Sequence, residues 1–248
     1  MRERIAAVNR WMGEHRKVTL SSVAAIVVAV VAITALVQFG RGDIEVDMHA
    51  FDEQILTIND IPARTFIGWE EQDVEVRPTP ARTPAGMSAP DNGQCVPGGD
   101  LQTRVQEMVV TGTKWSGARF VTPAAAQVIN VQLSNSSNAD PAVIDTWLDE
   151  CMTTRLVSDS GTEEQLRLSS LPVTAAFYRL DEARVYAVTV SGERTMTTMY
   201  GWGRAQDTTI QVDYTFAGEP NDQAIAQFDV VWRAQAGKLV GMQEAGLL

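Results

Sequence analysis

The stretch TIQVDYTF, residues 209–216, alternates strictly between polar and apolar side chains. A period of two places successive side chains on opposite faces of a β-strand, with one face buried and the other in water. The apolar face holds Ile210, Val212, Tyr214 and Phe216, and the polar face holds Thr209, Gln211, Asp213 and Thr215. We therefore predict a half-buried strand whose polar face is wet.

Similar alternation occurs on both sides of this strand. It runs through residues 186–190 and 196–200 before the strand and through residues 228–232 after it. Residues 236–238, Ala-Gly-Lys, then predict a turn into a last short strand, residues 239–241. Because strands that follow one another closely tend to pair side by side, this half of the chain predicts an antiparallel meander.

Helix signals precede these strands. A Thr-Pro pair and an Asp-Pro pair each combine an N-cap residue with proline at the first helical position. They predict helices over residues 122–133 and 140–151, and residues 101–121 predict a helix or turn followed by a strand. The expected fold class is α+β: an antiparallel sheet with two or three helices on one face, preceded by a single transmembrane helix.

An apolar run without charged side chains occupies residues 18–40. Since about 20 helical residues span the hydrocarbon core of a bilayer, this run predicts a transmembrane helix that acts as a signal anchor. The leader, residues 1–17, has five basic and two acidic side chains, which places the N-terminus in the cytoplasm and the rest outside. A cleaved signal peptide is the alternative, although its apolar region usually has only about 7–15 residues.

The two cysteines, Cys95 and Cys151, both follow the apolar run. An even pair in an oxidising compartment predicts a disulfide, and Cys151 lies on the apolar face of a predicted helix. The cysteines are 56 residues apart, a separation for which the chain-entropy model gives about 4 kcal/mol. Two buried free thiols are the alternative. A zinc site is not expected, because two thiols without a nearby histidine do not complete a tetrahedral shell.

The rest of the chain divides by composition. Residues 41–76 predict a stalk and the start of the outer domain, with a helical face before Pro62 and a short strand at residues 74–76. Residues 77–94 are rich in proline and predict a linker or long loop, because such composition buries little apolar surface. Residues 95–248 predict the extracytoplasmic α+β domain.

The outer part of the chain is strongly acidic. Residues 41–248 carry 15 basic and 29 acidic side chains, a net charge of −14. Such a surface repels nucleic acid and anionic headgroups, so we expect no nucleic-acid partner. The expected partners are the lipid bilayer around the transmembrane helix and an envelope protein or lipid outside it.

The sequence offers few groups for catalysis. His15 and His49 are the two histidines, and both lie beside the apolar run, where they cannot partner a nucleophile inside the domain. The motifs G-x-S-x-G and H-E-x-x-H and a phosphate-binding glycine loop do not occur. Adjacent acids such as Glu70 and Glu71 point apart in a strand or helix and do not converge on a substrate. We expect a non-catalytic protein with no catalytic residue, no cofactor and no metal site.

The run Tyr200-Gly201-Trp202-Gly203 places two large rings beside two glycines. Glycine removes side chains that would cover the neighbouring backbone, so exposed rings here could contact a ligand or partner. We predict a binding surface at these four residues. The alternative is a bulged edge strand whose rings cap the core.

The motifs ILTINDIP, residues 55–62, and WLDEC, residues 147–151, resemble those of a known family. This family is the extracytoplasmic sensor-like domains of actinobacteria, which are related to the outer domain of the mycobacterial serine/threonine kinase H. ILTINDIP, residues 55–62, resembles their leucine–leucine–threonine … aspartate–leucine–proline opening. WLDEC, residues 147–151, resembles their tryptophan–x–x–x–cysteine on a helix, and an antiparallel sheet follows in the same order. The resemblance covers about residues 46–242 and implies ligand sensing or envelope binding, without catalytic residues. The outer domain of that kinase carries two disulfides, whereas this chain can form only one.

These features together predict a membrane-anchored extracytoplasmic binding or sensor-like protein of a bacterial envelope. The alternative is an accessory subunit of a larger membrane complex, held by its transmembrane helix and outer domain. Small residues four apart, Ser21, Ala25 and Ala29, would allow that helix to pack closely against partner helices.

Overall fold

The computed structural model describes residues 46–80, 82–83, 86–123, 126–136, 140–172 and 180–244. The predicted cytoplasmic leader and transmembrane helix, residues 1–17 and 18–40, lie outside the described residues. Within the described ranges, no helix is both long enough and apolar enough to cross a membrane.

A nine-stranded sheet forms the centre of the described part of the chain. Its strands are β1 (Glu70–Gln72), β2 (Met87–Ser88), β3 (Trp115–Val121), β4 (Gln127–Ser134), β5 (Thr153–Ser158), β6 (Glu163–Ser170), β7 (Glu182–Ser191), β8 (Met196–Ala205) and β9 (Thr208–Ala217). The spatial order is β1-β3-β4-β9-β8-β7-β6-β5-β2, and all neighbours are antiparallel. The predicted antiparallel sheet is confirmed.

Three α-helices are described: α1 (Asp100–Val110), α2 (Ala142–Glu150) and α3 (Asp222–Glu244). The α+β class is confirmed, and two helices share one face of the sheet as predicted, but the third helix packs on the opposite face, which was not predicted. Helices α1 and α2 pack on one face together with both cysteines, and α3 packs on the other. We call these the disulfide face and the α3 face. Strand β7 is apolar on both sides, with Val185 and Ala187 on the α3 face and Tyr186 and Val188 on the disulfide face.

The strands predicted at residues 228–232 and 239–241 are wrong, because both lie inside α3. The side chains buried along α3 recur at intervals of three and four residues, which is the period of a helix. They are Ala224, Gln227, Phe228, Val231, Trp232, Gln235, Ala236 and Leu239. Asn221 begins the helix, since its Oδ1 accepts a hydrogen bond from the backbone N–H of Ala224 at 3.0 Å.

The helix predicted over residues 122–133 is also wrong, because β4 occupies most of this range. The expected N-cap, Thr122, instead accepts a hydrogen bond through Oγ1 from the backbone N–H of Gln127 at 2.9 Å, which closes the turn between β3 and β4. The short strand expected at residues 74–76 is not formed, and pairing occurs just before it, in β1.

Strand β9 is buried on both faces, so the prediction that its polar face is wet is wrong. The side chains of Gln211 and Asp213 are 8% and 4% exposed. Their face of the sheet is the disulfide face, where α1 packs over β4 and β9. A single strand shows which residues share a face but not which faces the rest of the chain covers, and here both are covered.

Residues 51–56 belong to the folded domain and pack on the α3 face, with Phe51, Ile55 and Leu56 in its core. The side chain of Gln235 fixes this segment to α3. Its Oε1 accepts a hydrogen bond from the backbone N–H of Leu56, and its Nε2 donates one to the carbonyl of Gln54, both at 2.9 Å. Turns and a short 3₁₀ helix, Ile58–Asp60, replace the expected helical face.

The predicted disulfide between Cys95 and Cys151 is present, with Cα atoms 5.4 Å apart. Cys95 ends a short 3₁₀ helix, Gly93–Cys95, and Cys151 caps the C-terminus of α2. Both cysteines are buried on the disulfide face. The bridge therefore ties the long segment that precedes α1 to the end of α2.

Candidate functional site

Tyr200 and Trp202 lie in the core of the disulfide face, where they are 7% and 1% exposed. The ring of Tyr200 stacks on Tyr186 with centroids 5.2 Å apart, and Trp147 of α2 meets Tyr186 edge to face at 5.8 Å. The predicted exposed aromatic surface is therefore wrong, and the alternative of core rings describes these two side chains.

Gly201 and Gly203 point to the opposite face and make room for Trp232 of α3. A Cβ atom built on Gly201 would lie 2.5 Å from Cε3 of the Trp232 ring, and one built on Gly203 would lie 3.0 Å from its Cη2. The first distance is too short for a real contact, so a side chain at position 201 would displace the ring, and the second is tight, so a side chain at position 203 would press against it. The gap that the glycines leave in β8 is filled by this helix and is not open to a ligand.

A group of polar side chains occupies three neighbouring strands on the disulfide face. Its members are Arg119 on β3, Asn130 and Gln132 on β4, and Gln211 and Asp213 on β9, and we call them the polar cluster. Cross-strand register brings them together: Arg119 lies opposite Asn130, Asn130 opposite Asp213, and Gln132 opposite Gln211. Side chains directly opposite one another in a sheet are in reach of contact, so the five form one connected set.

Asp213 is the buried acid of the polar cluster. Burial raises the pKa of its carboxyl to about 6, although hydrogen bonds from Asn130 and Gln211 and the charge of Arg119 oppose that shift. The Nδ2 of Asn130 donates to Asp213 Oδ2 at 2.7 Å, whereas Gln211 Nε2 lies at 3.5 Å from Oδ1. Asp213 in turn contributes, after burial, to the raised pKa of the neighbouring Tyr200 hydroxyl. The carboxyl is held by amides rather than by a close cation, so its charge is poorly compensated.

A cavity of about 250 Å³ lies against the polar cluster. Residues 73–78, which we call the covering segment, form one side of it, and β3 and β4 form the other. The strand side includes Trp115, Arg119, Asn130 and Gln132, and the covering segment contributes Val74 and Glu75 among others. Arg77 fixes the covering segment in place by donating a hydrogen bond from its guanidinium to the carbonyl of Gly112.

Three buried polar atoms of residues that line the cavity have no hydrogen-bond partner among the described residues. They are Nε1 of Trp115, Nε of Arg119 and Oε1 of Gln132. Trp115 and Gln132 are buried, at 0% and 4% exposed. An unpaired buried donor or acceptor costs about 1–3 kcal/mol, and the large majority of buried polar side-chain atoms in native proteins are paired. Two donors and one acceptor without partners therefore mark this wall as a candidate binding site.

Two solved structures of mycobacterial proteins are similar to this chain. One is the extracellular domain of PknH from Mycobacterium tuberculosis, with 10% identity and a TM-score of 0.42 over 74% of this chain and 93% of that chain. The other is an uncharacterized protein of Mycobacterium smegmatis, a Rv0999 ortholog, with 14% identity and a TM-score of 0.39 over 71% and 98%. The resemblance to the outer domain of kinase H is thereby confirmed. Neither structure identifies a ligand or an activity for this chain.

The chain matches no family model and no curated protein. Within the described part of the chain, no group of three or more His, Cys, Asp or Glu side chains could hold a metal ion. His49, the histidine that the structure describes, is exposed and pairs through Nδ1 with Asp52 Oδ2 at 2.9 Å.

Sequence reasoning missed the polar cluster because β4 was expected to be a helix and the polar face of β9 was expected to be in water. The run VINVQL, residues 128–133, was expected to be helical, so Asn130 and Gln132 received no role. The available signal was alternation: Ile129, Val131 and Leu133 repeat the period of β9, and the amides fall between them as Gln211 and Asp213 do there. Reading both stretches as neighbouring strands would have placed four polar side chains on one face.

Because the pKa of Asp213 is raised in the folded chain, we predict that protonation of this carboxyl stabilises the native state. The folded pKa is about 6 and the unfolded value is 3.8, so between these pH values the native state binds the extra proton. Stability then falls as pH rises from about 4 to 6, by at most about 3 kcal/mol. Asp213→Asn removes the charge, so chemical denaturation should show the variant more stable than the native chain at pH 8 and equally stable near pH 4.

Asp145→Asn is a control for which we expect the opposite change in stability. Asp145 accepts two hydrogen bonds from Arg184, at 2.6 and 2.8 Å, and these bonds lower the pKa of its carboxyl. A lowered folded pKa gives stability that is present at neutral pH and is lost as pH falls below about 4. This variant should therefore be less stable than the native chain at pH 8. A higher stability of the native chain than of Asp213→Asn at pH 8 would contradict the assignment of Asp213.

Proposed function

We propose that this protein is a membrane-anchored, extracytoplasmic binding domain of sensor-like type, which takes a small ligand in the cavity beneath the covering segment. The observation that carries the proposal is the cavity wall with its unpaired donors and acceptor. A core built for stability alone would place apolar side chains at these positions, because half-satisfied polar networks cost free energy. Polar groups kept at such a cost, beside an opening of ligand size, favour a binding role.

Two further features support a location outside the membrane. The Cys95–Cys151 bridge is typical of oxidising compartments and is rare in the cytosol. The apolar run at residues 18–40, with its basic leader, supports an anchor that holds the N-terminus inside. The described domain starts at residue 46, within a few residues of the predicted anchor, so the domain would lie close to the outer face of the membrane.

The proposal assigns no reaction to the protein. His49 lies on the exposed surface, paired with Asp52, and no catalytic role follows from that geometry. The buried acid, Asp213, is held by the side-chain amide of Asn130 and does not line the cavity itself. We therefore interpret Asp213 as the group that orients Asn130 in the cavity wall.

The experiment combines localisation with ligand capture. The full chain is produced in an actinobacterial host, its membranes are washed with carbonate, and the protein is extracted in detergent. The purified chain is then mixed with a low-mass extract of actinobacterial envelopes and examined by native mass spectrometry. We expect the chain to remain with the washed membranes and to retain one small molecule. Release by carbonate, or a spectrum without any bound molecule, would contradict the proposal.

A matched pair of tryptophan variants locates the bound molecule. Val74 is half-buried in the covering segment and lines the cavity, so Val74→Trp should fill the space and abolish binding. Ile67 is 83% exposed and does not line the cavity, so Ile67→Trp adds the same ring without effect on binding. Equal binding by both variants would place the molecule elsewhere on the protein.

A further inference from the structure

We infer that the cavity takes an uncharged, polyhydroxylated small molecule, of the size of one sugar or cyclic polyol ring. This inference rests on the proposed function, since it names the ligand class of that same cavity. Four features of the cavity support it: the unpaired donors and acceptor of its lining residues, the charges around it, its apolar surface and its volume.

The unpaired polar atoms match a hydroxyl group. The Nε of Arg119 is a donor that needs an acceptor, and Oε1 of Gln132 is an acceptor that needs a donor. The two residues are diagonal neighbours on adjacent strands, two register positions apart, since Arg119 pairs with Asn130 and Gln132 pairs with Gly117. A hydroxyl donates one hydrogen bond and accepts others, so neighbouring hydroxyls of one ring can satisfy both atoms. Carboxylates and phosphates supply acceptors only, and ammonium groups supply donors only.

The charges around the cavity disfavour ions of both signs. Among the residues that line the cavity, the two acids Asp73 and Glu75 on the covering segment outnumber the one base, Arg119 on β3. This excess repels an anion. A cation would approach the guanidinium of Arg119, which lines the cavity and repels positive charge. A neutral ligand meets neither repulsion.

The remaining wall is apolar and suits the C–H faces of a ring. Trp115 lines the strand side, and its ring lies over Gly117, where a Cβ atom would approach the ring carbon Cη2 to 2.2 Å. Val74, Val76 and Pro78 line the opposite side. A ring between these surfaces would contact carbon atoms on both faces while its edge hydroxyls reach the polar cluster.

The volume limits the ligand to a small molecule. Pockets for drug-sized ligands usually measure about 300–1,000 Å³, and this cavity, at about 250 Å³, lies just below that range. One ring with its hydroxyls fits this limit, and a long acyl chain or a peptide does not. The terminal sugar of a longer glycan shares the same chemistry, so free and chain-end sugars need separate probes.

Saturation-transfer difference NMR on the full chain tests the ligand class, in a detergent that carries no sugar headgroup. The neutral probes are D-glucose, D-galactose, D-mannose and myo-inositol, together with maltotriose as a chain-end probe. Inorganic phosphate and choline are the charged probes, detected by competition. We expect at least one neutral probe to bind and neither charged probe to displace it. Binding of maltotriose without any free ring would assign the site to the end of a glycan.

Gln132→Met and Gln165→Met form a matched pair for this test. Gln132→Met removes the unpaired acceptor from the cavity wall, so binding of the neutral probe should weaken at least about tenfold. Gln165 is exposed on β6, at the other side of the sheet, and Gln165→Met should leave binding unchanged. Since Gln132 is buried and its replacement could unfold the domain, Val74→Trp serves as a second variant that should also abolish binding.

The outcomes separate this inference from the proposed function. Choline or phosphate binding that Val74→Trp abolishes would overturn the ligand class and leave the cavity as a binding site. Neutral-probe binding that survives both Val74→Trp and Gln132→Met would place the sugar elsewhere and overturn the inference. Absence of binding by every neutral probe would overturn it as well, while capture of a different molecule by native mass spectrometry would still support the proposed function.

Discussion

Trp232→Ala is expected to lower the free energy of unfolding by about 3–5 kcal/mol. The ring is fully buried, at 0% exposed, and fills the groove above Gly201 and Gly203 in β8. Truncation leaves a cavity between α3 and the centre of the sheet, which the packed strands cannot close. Chemical denaturation of the full chain in detergent, followed by far-UV circular dichroism, measures the loss without relying on tryptophan fluorescence.

Two glycine variants sharpen this test. Gly201→Ala places a Cβ atom 2.5 Å from the Trp232 ring, so overpacking should cost about 1–3 kcal/mol. Gly237 lies on the exposed side of α3, where a Cβ atom meets nothing within 4 Å, and Gly237→Ala should stabilise the helix by up to about 1 kcal/mol. The double variant that combines Gly201→Ala with Trp232→Leu should lose less stability than the sum of the losses of the two single variants, because the two positions are in contact. A Gly201→Ala chain as stable as the native chain would show that the ring does not rest there.

The strands that sequence periodicity predicted correctly are those whose alternation has no competing helical period. Strands β7, β8 and β9 form a continuous meander, and each was predicted from a period of two. Helix α3 was missed because Phe228, Val230 and Trp232 satisfy a period of two locally, whereas the helical period becomes visible only over the full length to Leu239. Short windows do not separate the two periods, and Val230 is only half-buried.

The candidate site was less predictable than the fold for a physical reason. Which polar side chains become buried depends on what covers them, and α1 and the covering segment reach the polar cluster from distant parts of the chain. The glycines of β8 were correctly recognised as a gap in the strand surface. The sequence did not show that Trp232 fills that gap, because this contact joins residues about 30 positions apart.

Replacing both Cys95 and Cys151 by alanine is expected to lower the free energy of unfolding by about 4 kcal/mol. The bridge closes a loop of 56 residues, and the chain-entropy model assigns most of its effect to the unfolded state, which gains freedom when the bridge is absent. Replacing both cysteines avoids a lone buried thiol, and alanine adds no polar group to the disulfide face. Denaturation of the full chain without reductant measures the loss.

Reduction of the native chain provides the matched control. It should lower the stability by a similar amount, whereas the double alanine variant should not respond to reductant. Hydrogen exchange should show which segment of the reduced chain loses amide protection first. The segment around Cys95 is joined to the sheet by little besides the two-residue strand β2, so its amides should lose protection before those of β7, β8 and β9.

A native chain whose stability does not change with reductant would contradict this account, because the fold would then hold residues 86–99 by packing alone. The structure argues against that result. Cys95 and Cys151 are 2% and 0% exposed, and Trp147, on the same helix as Cys151, packs against Tyr186 of the central strand β7. The bridge thus fastens a loosely paired segment to the helix that anchors the disulfide face. Its loss should loosen that face, and with it the cover over the polar cluster, before the α3 face is affected.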